Sequence, residues 1–426
     1  MQILKRTPVL FGAFASLVTL FCLRNNSPSH AVENLSNAVI LQWNEVAYDA
    51  FGGPAYQHSL MASRINAMTH IAMHDALNAV QPRFSSYAFS GHDAKADPIA
   101  AAASAAYTVL LHEIPARKSF LDSALQRSLV PITRHDARTR GIALGSQAAQ
   151  AIIALRDNDG SAADPIAQVP ATTRPGSYRA VPPFNILFAS NWNSVKPFGL
   201  ARKDQFRCEP PPALNSDKYG SAFNEVKETG KAGSKTRTAD QTAYAKFWYE
   251  FSEAGWNRVA RIVAANKKLN LFETARLFAL VDIAIADSYI AGWDSKFHYN
   301  FWRPYTAIRL ADTDDNDNTG EDTHWESLEP TPPVQDYPST HSALGNAGAT
   351  VLAMILGDTT SFAMISPTAV PAGTWRRFNS FSQAANENAD SRVRAGIHFR
   401  FSCDAGQVLG GKIGKWTVEN HLRPLN

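Results

Sequence analysis

The chain has 426 residues, enough for one large domain or two smaller ones around a substantial core. With 45% hydrophobic and 19% charged residues it has the composition of a soluble globular protein. A formal charge of only +3 excludes a global basic field, so neither nucleic acid nor a membrane surface is an expected partner, and any anion site must be a local cluster.

Lys5 and Arg6 precede the apolar run "PVLFGAFASLVTLFCL", and a polar patch then ends in "SHA" at Ala31. A basic start, an apolar middle and a small-x-small end make residues 1–31 an expected export signal, cut near Ala31, and the protein periplasmic or secreted. The run is shorter than the roughly 20 residues of a stable membrane span, and an uncleaved anchor is the alternative. Phe21 before Cys22 argues against a lipoprotein site. Cleavage would remove Lys5, Arg6 and Arg24 and no acid, leaving 38 basic and 38 acidic residues.

Residues 32–160 read as a helical region. "SLMASRINAMTHIAMHDALNAV" puts Ile65, Met68, Ala72, Ala76 and Val80 on one face at helical spacing. Asp97 and Pro98 form a cap and first-turn pair for a helix that Pro115 stops. "GIALGSQAAQAIIALR" is a further helix, ended by the turn signal "DNDG". Residues 161–235, rich in Pro, Asn, Gly and Ser, read as an irregular connection over the surface, pinned by Trp192, Phe198 and Phe206. Helices resume at about Ala239, and residues 236–426 form a second helical region. In it Asn270 and Glu273 make a capping box for a long apolar helix, buried between others. Strand alternation is scarce, so the fold class is all-α, a helical bundle, with 32–426 as one unit. Cys208 and Cys403 either pair in an oxidising compartment or stay as two thiols.

Three segments of the second region carry cations. In "KFHYNFWRP", Lys296 and Arg303 are seven residues apart, which predicts that both leave one helix face, with Pro304 ending or kinking the helix. Two cations on an apolar helix are costly unless an anion sits between them. In "YPSTHSALGNAGATV", Ser339 and Thr340 offer hydroxyl and backbone donors at a helix N-terminus, where the dipole favours anions. His341 in that first turn is a natural proton donor or acceptor, and the small residues behind it allow close packing. In "SRVRAGIHFRFSCD", Arg392, Arg394, His398 and Arg400 are either one wall of a pocket, with Gly396 allowing close approach, or a surface basic stretch.

The order K-x6-RP, then PSTH, then SR-x5-H resembles the active-site signature shared by vanadium-dependent haloperoxidases and type 2 phosphatidic acid phosphatases. The signature covers residues 296–398. Each part alone is weak and the three together are specific. "ASRINAMTHIAMHDALNAV" and "WRPYTAIR" are similar to the bacterial secreted haloperoxidases, and Trp293 matches a pocket-wall tryptophan of chloroperoxidases. The resemblance implies a bundle of the vanadium chloroperoxidase and acid phosphatase type. It also implies vanadate held by His398, with Lys296, Arg303, Arg392, Ser339 and the Thr340 N–H around its oxygens and His341 as the acid–base. Hydrogen peroxide and halide are then the substrates. In the phosphatase alternative there is no cofactor, His398 is the nucleophile and a phosphate ester is the substrate. A non-catalytic oxyanion-binding protein is the third reading.

The chain departs from that pattern in three places. Thr340 stands where the family has glycine, which narrows the backbone's approach to an anion. Val334 takes the place of Phe or His at a position linked to halide choice. Ser402 occupies the place of the phosphatase Asp four after His398, and Asp404 lies two further on, which leaves the orientation of His398 open. Other signals are set aside. His70 and His74 have metal-compatible spacing but no third ligand, so helix contacts are expected. The acidic loop "DTDDNDNTGED" has Thr319 where a calcium loop starting at Asp314 needs glycine. His298 either lines the pocket or faces a neighbour, and Arg394 and Arg400 are read as surface charges. Sequence does not fix the oligomeric state, and a homo-oligomer is among the states it allows.

Overall fold

Apolar periodicity and caps lay out thirteen α-helices among the residues described by the structure, a computed structural model covering residues 35–53 and 58–425. The leader expected over residues 1–31 lies outside the described residues. The first five helices are α1 (Ala38–Ala50), α2 (Ser59–Val80), α3 (Pro98–Glu113), α4 (Lys118–Leu129) and α5 (His135–Arg156). A short antiparallel pair follows, β1 (Ile166–Gln168) with β2 (Ile186–Phe188). Then come α6 (Asp217–Thr229), α7 (Ala239–Phe247), α8 (Ser252–Asn266), α9 (Leu271–Tyr299), α10 (Pro304–Arg309) and α11 (Thr340–Leu356). A hairpin, β3 (Phe362–Ile365) with β4 (Trp375–Phe378), precedes α12 (Phe381–Arg394) and α13 (Arg400–Asn420). The fold is all-α in class, with the two small sheets as additions. Ser36–Asn426 form one compact unit. No helix among the described residues is long and apolar enough to cross a membrane.

Local chemistry sets several boundaries as expected. The Asp97 side chain accepts from Ala100 N–H with Pro98 in the first turn, and Asn270 and Glu273 close a reciprocal capping box on α9. The stretch read as an irregular connection differs, because it contains α6. Ser216 caps that helix, and Tyr219, Phe223 and Val226 are buried from it. The helix is short and flanked by Pro and Gly, which masks its period.

Helix α2 is buried on nearly every side rather than along one stripe. Its polar side chains therefore need partners in the core. His70 Nδ1 lies 2.6 Å from Asp282 Oδ2, and Asp75 accepts the backbone N–H groups of Tyr87, Ala88 and Phe89.

Helix α9 is the central element and packs against α2, α11 and α13. It stops at Tyr299, where Asn300 turns left-handed at φ 48°. Arg303 is the N-cap of the separate helix α10, and Pro304 opens that helix. Lys296 and Arg303 therefore do not leave one helix face. They approach each other because the chain breaks between them.

Small residues fix the mouth of α11. On α13, Gly406, Gly410 and Gly414 lie one turn apart against the carbonyls of Ser339, Ala343 and Ala347, so close that a Cβ at any of them would overlap α11. On the other flank of α11, Gly348 meets the ring of Trp256. The small-residue run of the sequence is thus a packing surface that clamps the Ser339 end rigidly.

Candidate active site

Three chain breaks build the site: the α9–α10 break, the start of α11, and the link between α12 and α13. Lys296, in the last turn of α9, is fully buried, and its Nζ donates to the carbonyls of Gln335 (2.6 Å) and Asp336 (3.0 Å). An ammonium has three N–H groups, so one is left for a guest. Arg303 Nε donates to Val334 O (2.7 Å), while Nη1 reaches Ile397 O (2.7 Å) and His398 Nε2 (2.9 Å). Arg392 Nη1 donates to Trp248 O at 3.2 Å, and its buried Nε has no partner.

Ser339 caps α11. Its hydroxyl oxygen accepts from Ser342 N–H and from the Ser342 hydroxyl, which leaves its own hydrogen to donate. Thr340 N–H, at the first helical position, has no intrahelical acceptor. His341 Nε2 donates to Glu250 O at 2.7 Å. Its Nδ1 then carries the lone pair. Burial, then the Arg392 charge, hold the His341 pKa well below that of an ordinary histidine.

His398 Nε2 faces an arginine, which only donates, so this nitrogen carries the lone pair. Nδ1 carries the hydrogen and lies 2.9 Å from Asp336 Oδ1, a close but off-axis contact, since Oδ1 makes no aligned hydrogen bond. Burial, followed by Arg303, Lys296, Arg392 and His341, holds the His398 pKa well below the usual value. That list of neighbours shows the five groups converging, though their segments are scattered over a hundred residues.

Among the described residues, Asp336 is the carboxylate with direct contacts to this group. Burial raises its pKa to about 6 against the pull of Arg303, the Ser402 hydroxyl and Lys296. The Ser402 hydroxyl donates to Asp336 Oδ2. The orienting partner of His398 is thus Asp336, upstream of α11, and Ser402 acts on it from behind. Asp404 is exposed and takes no part. Sequence reasoning sought this carboxylate after His398 and missed it. The available signal was an acidic residue in "VQDYPSTH", three before Ser339.

Burial lowers the pKa of Lys296 well below, and that of Arg303 below, the ordinary values, and brings Arg392 down to about 10. Three buried cations against one carboxylate is an excess of positive charge that an anion relieves. The unpartnered Arg392 Nε, the spare Lys296 N–H, the Ser339 hydrogen and the Thr340 N–H match the oxygens of a tetrahedral oxyanion, and the His398 lone pair offers one bond to its centre.

The other sequence-selected residues are also placed. Trp293 is buried one turn before Lys296, its indole N–H unpartnered and its ring edge-on to Tyr289 at 5.7 Å. Val334 is buried, and its carbonyl anchors Arg303. Gly396, at φ 81°, approaches the Gly230 carbonyl, so it packs the α12–α13 link on α6 instead of walling the pocket. His298 is exposed, edge-on to Tyr299. Arg394 and Arg400 are half-buried and paired with Asp390 and Glu225, not free surface charges. Cys208 and Cys403 are free thiols.

Residues 276–426 match the family described as the VCPO second helical-bundle domain. The vanadium chloroperoxidase of Curvularia inaequalis is 25% identical over 295 residues, covering 53% of this chain and 48% of the relative, so the match spans about half of that protein's length. A bacterial vanadium-dependent iodoperoxidase superposes with a TM-score of 0.79 at 26% identity, covering 92% of this chain and 98% of the other. A holo-type bacterial vanadium-dependent chloroperoxidase shares the fold, with a TM-score of 0.72 at 16% identity over 91% of this chain and 97% of its own. Residues 276–426 thus carry the VCPO second helical-bundle domain, and the chain has the fold of bacterial vanadium-dependent haloperoxidases.

Proposed function

We propose that this chain is a vanadate-dependent haloperoxidase that oxidises halide with hydrogen peroxide. The carrying observation is the buried charge excess, Lys296, Arg303 and Arg392 against Asp336 alone, closed around the His398 Nε2 lone pair. Vanadate, when bound, supplies a Lewis-acidic centre that activates peroxide toward halide. His398 Nε2 would be the ligand, in place of its contact with Arg303 Nη1, and Asp336 favours the tautomer that leaves this atom unprotonated. The three cations, Ser339 and the Thr340 N–H hold the oxygens by preorganised electrostatics. His341 Nδ1, neutral and basic, takes the proton from incoming peroxide. Trp293 and Val334 are walls beside it.

The test is halogenation of monochlorodimedone with chloride and bromide, and triiodide formation with iodide, with and without vanadate. Peroxide-dependent turnover that requires vanadate is expected, and its absence with all three halides overturns the reading. A second reading is favoured by the Asp336–His398 contact, which suits a phosphorylated imidazole equally well: an acid phosphatase with His398 as nucleophile. It requires hydrolysis of p-nitrophenyl phosphate by the vanadate-free protein, blocked by vanadate, without halogenation. We infer export from the basic, apolar and small-residue pattern over residues 1–31. An N-terminus near residue 32 on the protein from its host is expected, and an intact Met1 overturns this.

A further inference from the structure

The segment Gly176–Tyr178, in the Pro-rich stretch between α5 and α6, is laid against the residues that lead into Arg303. Ser177 bridges Phe301 in antiparallel fashion, Trp302 N–H donates to Gly176 O at 2.9 Å, and Tyr178 N–H donates to Asn300 O at 2.8 Å. This backbone ladder fixes Tyr178 beside the α9–α10 break. Its side chain is 2% exposed, and its buried hydroxyl has no hydrogen-bond partner. Three other phenols near the site do have one: Tyr249, Tyr299 and Tyr337 donate to the carbonyls of Pro330, Cys208 and Glu209.

A buried hydroxyl without an acceptor is rare in folded proteins and points to a missing partner. Arg303 cannot be that partner, because a guanidinium only donates. Yet Arg303 is the charged group whose field reaches the Tyr178 hydroxyl, opposing the burial that pushes the phenol up to about 12, so the O–H is intact at neutral pH. A neutral O–H and a cation side by side are both satisfied by one acceptor, an anionic oxygen.

We propose that the Tyr178 hydroxyl is a further donor of the oxyanion site, directed with Arg303 at the same oxygen of a tetrahedral guest. The inference rests on the reading of the site as an oxyanion site and adds a donor from a fourth segment, remote from the three that form the motif.

The test is calorimetric titration of the vanadate-free protein and of Tyr178→Phe with inorganic phosphate and, separately, with orthovanadate at pH 7. Melting of the empty proteins is recorded alongside. Loss of a hydrogen bond to a charged acceptor predicts roughly tenfold weaker binding of both anions. The empty variant is expected to melt at the same or a higher temperature, since an unsatisfied hydroxyl is removed. A purely structural tyrosine would instead lower the melting temperature and leave affinity alone. Affinities within twofold of each other overturn the Tyr178 assignment while leaving the site reading intact. A parent protein that binds neither anion removes both.

Discussion

Two clusters of buried cations in this molecule are balanced in opposite ways. Arg64 donates to Asp159 (2.8 Å) and Glu113 (2.9 Å), Arg156 donates to Asp159 (2.9 Å), and the Arg156 guanidinium lies 3.7 Å from the Phe198 ring centroid. Two cations meet two acids. Although burial raises the Asp159 pKa, the Ser161 contact and the two arginines hold it below the ordinary value. Around His398, among the described residues, three cations meet Asp336 alone, and burial is the largest influence on every one of them. The first cluster is complete and ties α2 to the end of α5. The second is held open by backbone carbonyls, which orient cations without neutralising them. Charge balance separates a structural ion network from a binding site.

The most drastic break is at the centre of the second cluster. His398→Ala removes the proposed ligand or nucleophile and is expected to lower halogenation, or phosphate ester hydrolysis, by roughly 10³-fold or more while folding is retained. Circular dichroism beside the rate assay checks both parts, and an unchanged rate ends the assignment. Removing one cation from each cluster tests the comparison directly. Arg64→Met strands Glu113, leaves Asp159 to Arg156 alone, and is expected to cost about 3–5 kcal/mol in urea denaturation. Arg392→Met relieves an unneutralised charge, so the empty protein is expected to be as stable or more stable, while anion binding weakens roughly 100-fold. Equal destabilisation by the two variants would show that both clusters are structural. A smaller loss is expected at the orienting carboxylate: Asp336→Asn should cost about 10–100-fold in anion affinity or turnover.

Acid is expected to reach the two regions at different pH. The His398 pKa is lowered from 6.5 in the fold, so below pH 6.5 the unfolded chain takes up a proton that the folded chain refuses. Stability is then lost as pH falls, at about 1.4 kcal/mol per pH unit for that imidazole, and His341 shifts in the same direction. Asp336 opposes this below about pH 6, because its folded pKa lies above the unfolded 3.8. Asp159 has a lowered pKa, so its contribution is present above about pH 3.8 and is lost only as pH falls through its lower folded value. Urea denaturation at pH 7 and 6, with and without saturating phosphate, checks the site. A loss of stability between the two that phosphate diminishes is expected, and a flat profile contradicts it.

What the sequence made legible follows the range of the interaction. Caps such as Asn270–Glu273 act over three residues and are readable directly. The convergence of Lys296 and Arg303 was expected from helical spacing, but it arises from a left-handed turn at Asn300, which no periodicity announces. Asp336 is 62 positions from His398, and Tyr178 is paired with residues more than 120 positions away, so neither relation leaves a local trace. Gly396 was legible as a close-approach position, but what it approaches, Gly230, is a tertiary fact.

The smallest effect concerns Thr340, which stands where the resembled signature has glycine. A Cβ placed on Gly292 of α9 would overlap Cγ2 of Thr340, so the threonine methyl occupies the space that Gly292 leaves. The substitution at 340 is therefore a packing exchange between α9 and the mouth of α11. Gly292→Ala alone is expected to destabilise by about 1–3 kcal/mol through overpacking. Thr340→Gly alone is expected to cost about 1 kcal/mol from the lost contact and the added backbone freedom. The double variant trades one methyl for another and should recover much of the sum, which a double-mutant cycle in urea reads as a favourable coupling. Anion affinity should stay within a few-fold in all three, because the Thr340 N–H is positioned by the glycine stripe of α13 and not by the side chain it carries. Strictly additive stabilities would show that Thr340 and Gly292 are not a matched pair, and would return the Thr340 side chain to the oxyanion site as an obstacle.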